Sequence, residues 1–136
     1  MDVTHEEVLA EWAVDNSLPA LDEAQIDLLL EAAADIGSEF FDDLIDTFKE
    51  EAEPRITALK EREGPPEPAI IRRDAHFIAG SASNIGLFRL AHICRRIEQL
   101  CDAGSLPHAV ETGALIEREY DSGILTLQET VRSKLS

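Results

Sequence analysis

Apolar residues recur at intervals of three and four along nearly the whole chain and nowhere alternate with a period of two, a pattern that fits helices and excludes strands. The longest stripe, Phe40, Phe41, Leu44, Ile45, Phe48, Ala52, Ile56 and Leu59, describes an amphipathic helix running toward Arg62, which Pro54 is expected to kink. Gly64, Pro65, Pro66 and Pro68 then break the pattern, and proline is tolerated in the first turn of the helix that follows. That helix carries the stripe Ile71, Ala75, Ile78, Ala82 and Ile85. Gly86 then turns the chain into another, with Leu87, Leu90, Ala91, Cys94, Ile97 and Cys101 inward. Gly104 ends it, and Ser105 is the expected cap of a last helix striped by Ala109, Gly113, Ile116, Tyr120, Ile124, Leu127, Val131 and Leu135. Upstream, Thr4 with Glu7 opens a short helix to about Asn16, and Asp22 with Gln25 opens a second before Ile26, Leu29 and Leu30. Four long helices on short links predict an all-α fold. The expected architecture is an antiparallel four-helix bundle over residues 37–136, with residues 1–36 as a lead-in of one or two short N-terminal helices.

The chain has 136 residues, enough for one core and too few for two. No run of apolar residues is long enough for a membrane span, and the first eleven residues are acidic, unlike a signal sequence; the expected location is the cytoplasm. Cys94 and Cys101 would lie about 10.5 Å apart along one helix, too far for a disulfide, so both read as thiols on an apolar face. The net charge of −16 argues against nucleic acid and anionic membranes as partners. The segment from Ala69 to Leu100 departs from that balance, with five arginines (Arg72, Arg73, Arg89, Arg95, Arg96) against Asp74 and Glu98. Such a patch is either a solvated face or a surface that steers an anionic partner.

Four histidines are candidates for chemistry, and a helical wheel separates them. With the Ile71 to Ile85 stripe set at zero and about 100° per residue, His76 falls near about 140°, on the solvent side. Arg72, Ala79, Gly80 and Ser83 share its sector, and three of these four are small. Slight neighbours leave an imidazole standing clear and let another protein's backbone approach. Phe77, near about 240°, is expected to be partly exposed, packed either on the lead-in helices or in a docking face. Neutral imidazole dominates near neutral pH and attacks phosphorus without a separate base, and the resulting P–N bond is labile enough to pass the group on. His5 near the terminus, His92 among arginines and His108 at the start of the last helix carry no comparable setting.

The run Asp74-Ala75-His76-Phe77-Ile78-Ala79-Gly80-Ser81-Ala82-Ser83-Asn84-Ile85-Gly86, followed by Leu90-Ala91, Cys94 and Ile97-Glu98, resembles the histidine-containing phosphotransfer (HPt) domain. An Ala-His start, a Gly-Ser after the histidine, a glycine at the helix end and a Leu-x-x-x-Cys-x-x-x-Glu helix behind it carry the likeness. Phe41 to Phe48 is similar to that family's upstream helix, so the resemblance covers about Glu39 to Leu135.

The resemblance implies a carrier in a two-component phosphorelay. His76 would be phosphorylated by, and donate to, aspartates of receiver domains in response regulators and hybrid histidine kinases. Arg72, Arg73, Phe77, Ala79, Gly80 and Ser83 would touch the phosphoryl group or the partner: Gly80 admits the receiver, and Ser83 hydrogen-bonds the ring or a phosphoryl oxygen. The family usually has lysine where this chain has Ala79, and Arg72 or Arg73 is expected to supply the missing charge. No metal or cofactor is expected, because the partner supplies the metal and the aspartate; the chain is a phosphocarrier rather than an enzyme. A monomer is expected, since four helices account for the stripes. The alternative is a non-phosphorylated module that docks to a kinase or receiver and inhibits it. A di-iron bundle and a hydrolase find no support, for neither inward Glu-x-x-His pairs nor a nucleophile elbow, Walker loop or zinc spacing occurs in the chain.

Overall fold

The computed structural model describes residues 17–37, 39–60, 67–113 and 115–135, so the helix expected from Thr4 to Asn16 lies outside the described residues, as does His5. Among the described residues six helices are laid out in order: α1 Glu23–Ile36, α2 Phe40–Lys60, α3 Pro68–Asn84, α4 Phe88–Asp102, α5 Leu106–Gly113 and α6 Ile116–Leu135. No strand occurs among the described residues, and no described helix is long and apolar enough to cross a membrane.

Helices α2, α3, α4 and α6 form the bundle, packed in a ring in which α3 meets α2 and α4, and α6 meets α4 and α2. The neighbours run antiparallel: Arg55 of α2 lies over Phe77 of α3, and Phe48 and Glu53 of α2 meet Tyr120 of α6. The stripes read from sequence are the core. Ile71, Ala75, Ile78 and Ala82 of α3 are buried with Leu90, Ala91, Cys94 and Ile97 of α4 and with Phe41, Ile45, Phe48, Ala52 and Ile56 of α2. α2 continues through Pro54. That residue has no N–H to give, and the Arg55 guanidinium donates to the nearby Glu51 carbonyl at 2.6 Å. Cys94 and Cys101 are both free thiols, Cys94 fully buried, and burial pushes the Cys94 thiol far above its ordinary range.

Three details depart from the pattern. The single last helix expected is two, α5 and α6, separated by a tight turn in which Leu115 N–H reaches Thr112 O at 3.0 Å. Ala109, Gly113, Ile116 and Tyr120 keep three- and four-residue spacing across that turn, so the apolar pattern cannot register it. Ser105 stands before α5, but its hydroxyl is buried without a partner among the described residues and does not cap the helix. Leu135, placed in the core by spacing, is half exposed at the end of α6.

The segment before α2 docks on the turn between α3 and α4. Asp22 caps α1 by accepting from Gln25 N–H at 3.2 Å, while the Gln25 side chain, instead of closing a capping box, donates to Asn84 O at 2.9 Å. Asp22 N–H donates to Gly86 O at 2.8 Å. Ile26 is fully buried there. Gly86 has φ +84°, and a Cβ on it would lie 2.8 Å from Ile26 Cγ1. This glycine is therefore required both by the left-handed turn and by the side chain seated against it. Arg89 completes the joint: its Nε and Nη2 donate to Leu18 O at 2.9 and 2.7 Å, and its Nη1 lies 3.4 Å from the buried Glu119 carboxylate.

Candidate functional site

α3 and α4 form a hairpin closed by Gly86, and two contacts fix its register. Arg72 Nε donates to Asp102 Oδ1 at 2.8 Å, and His76 Nδ1 lies 3.0 Å from Glu98 Oε1. Each step of four residues along α3 is matched by four in reverse along α4, so one side of the seam is lined by Arg72, His76, Gly80 and Ser83. The other is lined by Asp102, Glu98 and Arg95.

His76 stands on this seam with 73% of its side chain exposed, as the wheel predicts. Glu98 is the opposite, with only 16% of its side chain exposed. A carboxylate accepts and does not donate, so the proton of the pair belongs on His76 Nδ1. The neutral ring then keeps its lone pair on Nε2, the nitrogen turned away from α4. The second nitrogen of a histidine is commonly fixed this way, by what the first one bonds.

The structure brings most of the expected neighbours together and removes one. Gly80 is exposed, with nothing within 4 Å of where a Cβ would be, so the seam has an open floor one turn from the imidazole. Ser83 Oγ accepts from Arg95 Nη2 at 2.9 Å. Ala79, expected beside His76 on the solvent side, is instead buried at 2% exposure. It sits at about 80° on the wheel, on the flank where α4 packs close enough to widen the buried arc past it. Phe77 is half-buried and packs neither on described lead-in residues nor bare to solvent: the Arg55 guanidinium covers its ring at 3.5 Å from the centroid. Arg72 is committed to Asp102, whose hydrogen bond and charge raise the guanidinium pKa further above its ordinary value. Arg73 is exposed and 3.6 Å from the buried Asp74.

Sequence reasoning missed two residues, Glu98 and Arg95. A signal existed in the hairpin itself: His76 lies ten residues before Gly86 and Glu98 twelve after it, so an antiparallel turn at Gly86 brings them level. Along the seam of α2 and α3, beyond Gly80, a groove of about 300 Å³ is lined by Phe40, Leu44, Phe48, Ser81, Asn84 and Ile85 among others. Among the described residues no group of three or more His, Cys, Asp or Glu could hold a metal ion.

Known proteins agree with this architecture. The Hpt domain family matches residues 43–126, more than half of the chain. The crystal structure of histidine-containing phosphotransfer protein B from Pseudomonas aeruginosa PAO1 is 27% identical, with a TM-score of 0.71 over 86% of this chain and 98% of that one. The histidine-containing phosphotransfer proteins of maize and Medicago truncatula share the fold at 19% and 20% identity. Their TM-scores are 0.70 over 96% of this chain and 98% of the maize chain, and 0.69 over 98% of this chain and 96% of the Medicago chain. No curated protein matches the chain in sequence. With an exposed imidazole on α3, the second helix of the bundle and within this matched region, the chain belongs to the Hpt domain family, and its work is histidine phosphotransfer in phosphorelays.

Proposed function

We propose that His76 carries the phosphoryl group, on Nε2, and exchanges it with aspartates of receiver domains in response regulators and hybrid kinases. The observation that carries this reading is the pairing of an exposed ring with a nearly buried carboxylate. Glu98 holds the Nδ1 proton at 3.0 Å, which fixes the tautomer, keeps the Nε2 pair outward and steadies the positive charge the ring gains as the P–N bond forms. In the forward step that pair bonds phosphorus while the bond from phosphorus to the donor aspartate breaks, the electrons returning to the carboxylate. The reverse step regenerates neutral imidazole. The chain supplies nucleophile and orientation, and the partner supplies the metal and the aspartate.

Gly80 gives a receiver backbone room to approach, and the Phe77 edge with the groove along α2 and α3 offers it apolar contact. Residues 37–136 are the carrier domain in this reading, residues 1–36 its N-terminal accessory, and the working form a cytoplasmic monomer. The test is incubation of wild type and His76→Gln with a phosphorylated receiver, followed by acid and base treatment. Wild type should take acid-labile, base-stable label and the variant none. Label retained on His76→Gln would refute the assignment, and a variant that still inhibits a kinase would favour a docking module instead.

A further inference from the structure

We infer that Arg95, a residue of α4, is the cation that holds the phosphoryl group on His76, swinging from Ser83 to the phosphoryl oxygens when the imidazole is loaded. This rests on the assignment of His76 as the carrier.

A phosphoryl group on Nε2 brings about two negative charges to a seam that already holds Glu98 and Asp102, in a chain of net charge −16. Some cation must offset that, and on α3 and α4 the candidates are Arg72, Arg73 and Arg95. Arg72 is tied to Asp102 at 2.8 Å, a charge-assisted bond that would have to break before it could turn. Arg73 has its guanidinium 3.6 Å from the buried Asp74 carboxylate, which already offsets its charge. Arg95 differs from both: its hydrogen-bond partner among the described residues is a neutral hydroxyl, Ser83 Oγ at 2.9 Å. No carboxylate among the described residues forms an ion pair with Arg95. Exchanging a hydroxyl for a phosphoryl oxygen replaces a neutral acceptor with an ionised one, so the swing runs toward the stronger bond.

The register permits the motion. Arg72 with Asp102 and His76 with Glu98 set α4 against α3 such that Arg95 stands level with position 79. From that level His76 lies three residues back along α3, about 4.5 Å of rise, and Ser83 four residues forward, about 6 Å. One long side chain spans either direction. Between the two lies Gly80, which carries no side chain and, its own helix backbone and chain neighbours aside, has nothing within 4 Å of where a Cβ would be, so no side chain stands at that position to obstruct the guanidinium as it crosses. The planar fork of arginine then suits two phosphoryl oxygens at once.

The test uses the full-length chain and potassium phosphoramidate as donor: Nε2 bonds phosphorus as ammonia leaves, and decay is hydrolysis, in which water bonds phosphorus and the P–N pair returns to Nε2. A phosphoryl dianion carries more charge on its oxygens than the loose, metaphosphate-like transition state, so a cation resting on those oxygens lengthens the life of the store. The half-life of the P–N resonance is followed by phosphorus NMR, with circular dichroism to verify folding. Arg95→Ala and Arg95→Gln, the second able to keep a hydrogen bond to Ser83, should both shorten it about tenfold. Arg95→Lys should recover part of the loss. Half-lives equal to wild type in both Arg95→Ala and Arg95→Gln would overturn the inference, as would an equal drop in the distant charge variant Arg132→Ala. If His76→Ala still takes the label, the carrier assignment itself fails; a blank His76→Ala beside an unaltered Arg95→Ala sinks only the role of Arg95.

Discussion

Arg89 and Arg95 lie on one helix, less than two turns apart, and the fold uses them in opposite ways. Arg89 is turned inward with 19% of its side chain exposed, two of its nitrogens on Leu18 O and a third near the buried Glu119. Arg95 stands at the surface and gives one bond to a hydroxyl. The first closes the joint between the N-terminal segment and the bundle, where its donors are spent on fixed acceptors. The second stands on the α3–α4 seam against Ser83, and among the described residues no carboxylate pairs with its charge. Residue type and helix are the same; what separates architecture from chemistry is whether the surroundings fill the guanidinium's donors.

That contrast can be broken by exchanging which arginine is removed. Arg89→Ala leaves Glu119 buried without its partner and Leu18 O without its donors, so it should cost about 3 kcal/mol or more of stability in urea unfolding. Phosphoryl half-life in the folded fraction should be unaltered. An Arg89→Ala protein as stable as wild type would mean the joint is no more than a surface contact. Glu98→Ala should do the reverse. Removing the acceptor of the Nδ1 proton frees the ring to rotate and change tautomer, and loading by a phosphorylated receiver should slow about tenfold. Unfolding should shift by less than about 1 kcal/mol, since Glu98 bonds an exposed side chain. Glu98→Gln, which still accepts through its amide oxygen, should fall between wild type and Glu98→Ala; equal loss in both would make charge rather than orientation the relevant property.

The smallest effect expected is one of pH. Burial raises the Glu119 pKa above its ordinary value, opposed by the Arg89 charge and hydrogen bond. A carboxyl whose folded pKa is raised binds more protons folded than unfolded just above its unfolded pKa, so its contribution to stability falls as pH rises through that window. Glu119→Gln should flatten the slope of urea midpoint against pH between about 4.5 and the folded pKa. Arg89→Ala should steepen it, because the desolvation then acts unopposed. A slope unchanged by Glu119→Gln would assign the titration to other groups.

Much of the bundle is legible in the chain because its stripes are local. Ile71, Ala75, Ile78, Ala82 and Ile85 repeat with the period of the helix, and a position such as His76, opposite that stripe, is solvent-facing in any packing that buries it. Ala79 shows the limit. At about 80° it borders the stripe, and its burial depends on how closely a neighbouring helix approaches, which no single helix encodes. The break before Ile116 escaped for a related reason: a one-turn tightening leaves the phase of the stripe intact. Ser105, a cap by residue type, fails as one because its hydroxyl is aimed into the interior. Glu98 belonged to the recognisable motif, yet its purpose appears only when α4 folds back along α3.

Most of the core and the exposure of one imidazole follow from the order of residues alone, because a 3.6-residue period is a property of the backbone and apolar burial does the rest. The pairing of that imidazole with Glu98, and the fates of Arg89 and Arg95, were decided only by the turn at Gly86 and the register it imposes. A donor's partner is a matter of which residues on another element come level with it, and that is set between helices, not within them.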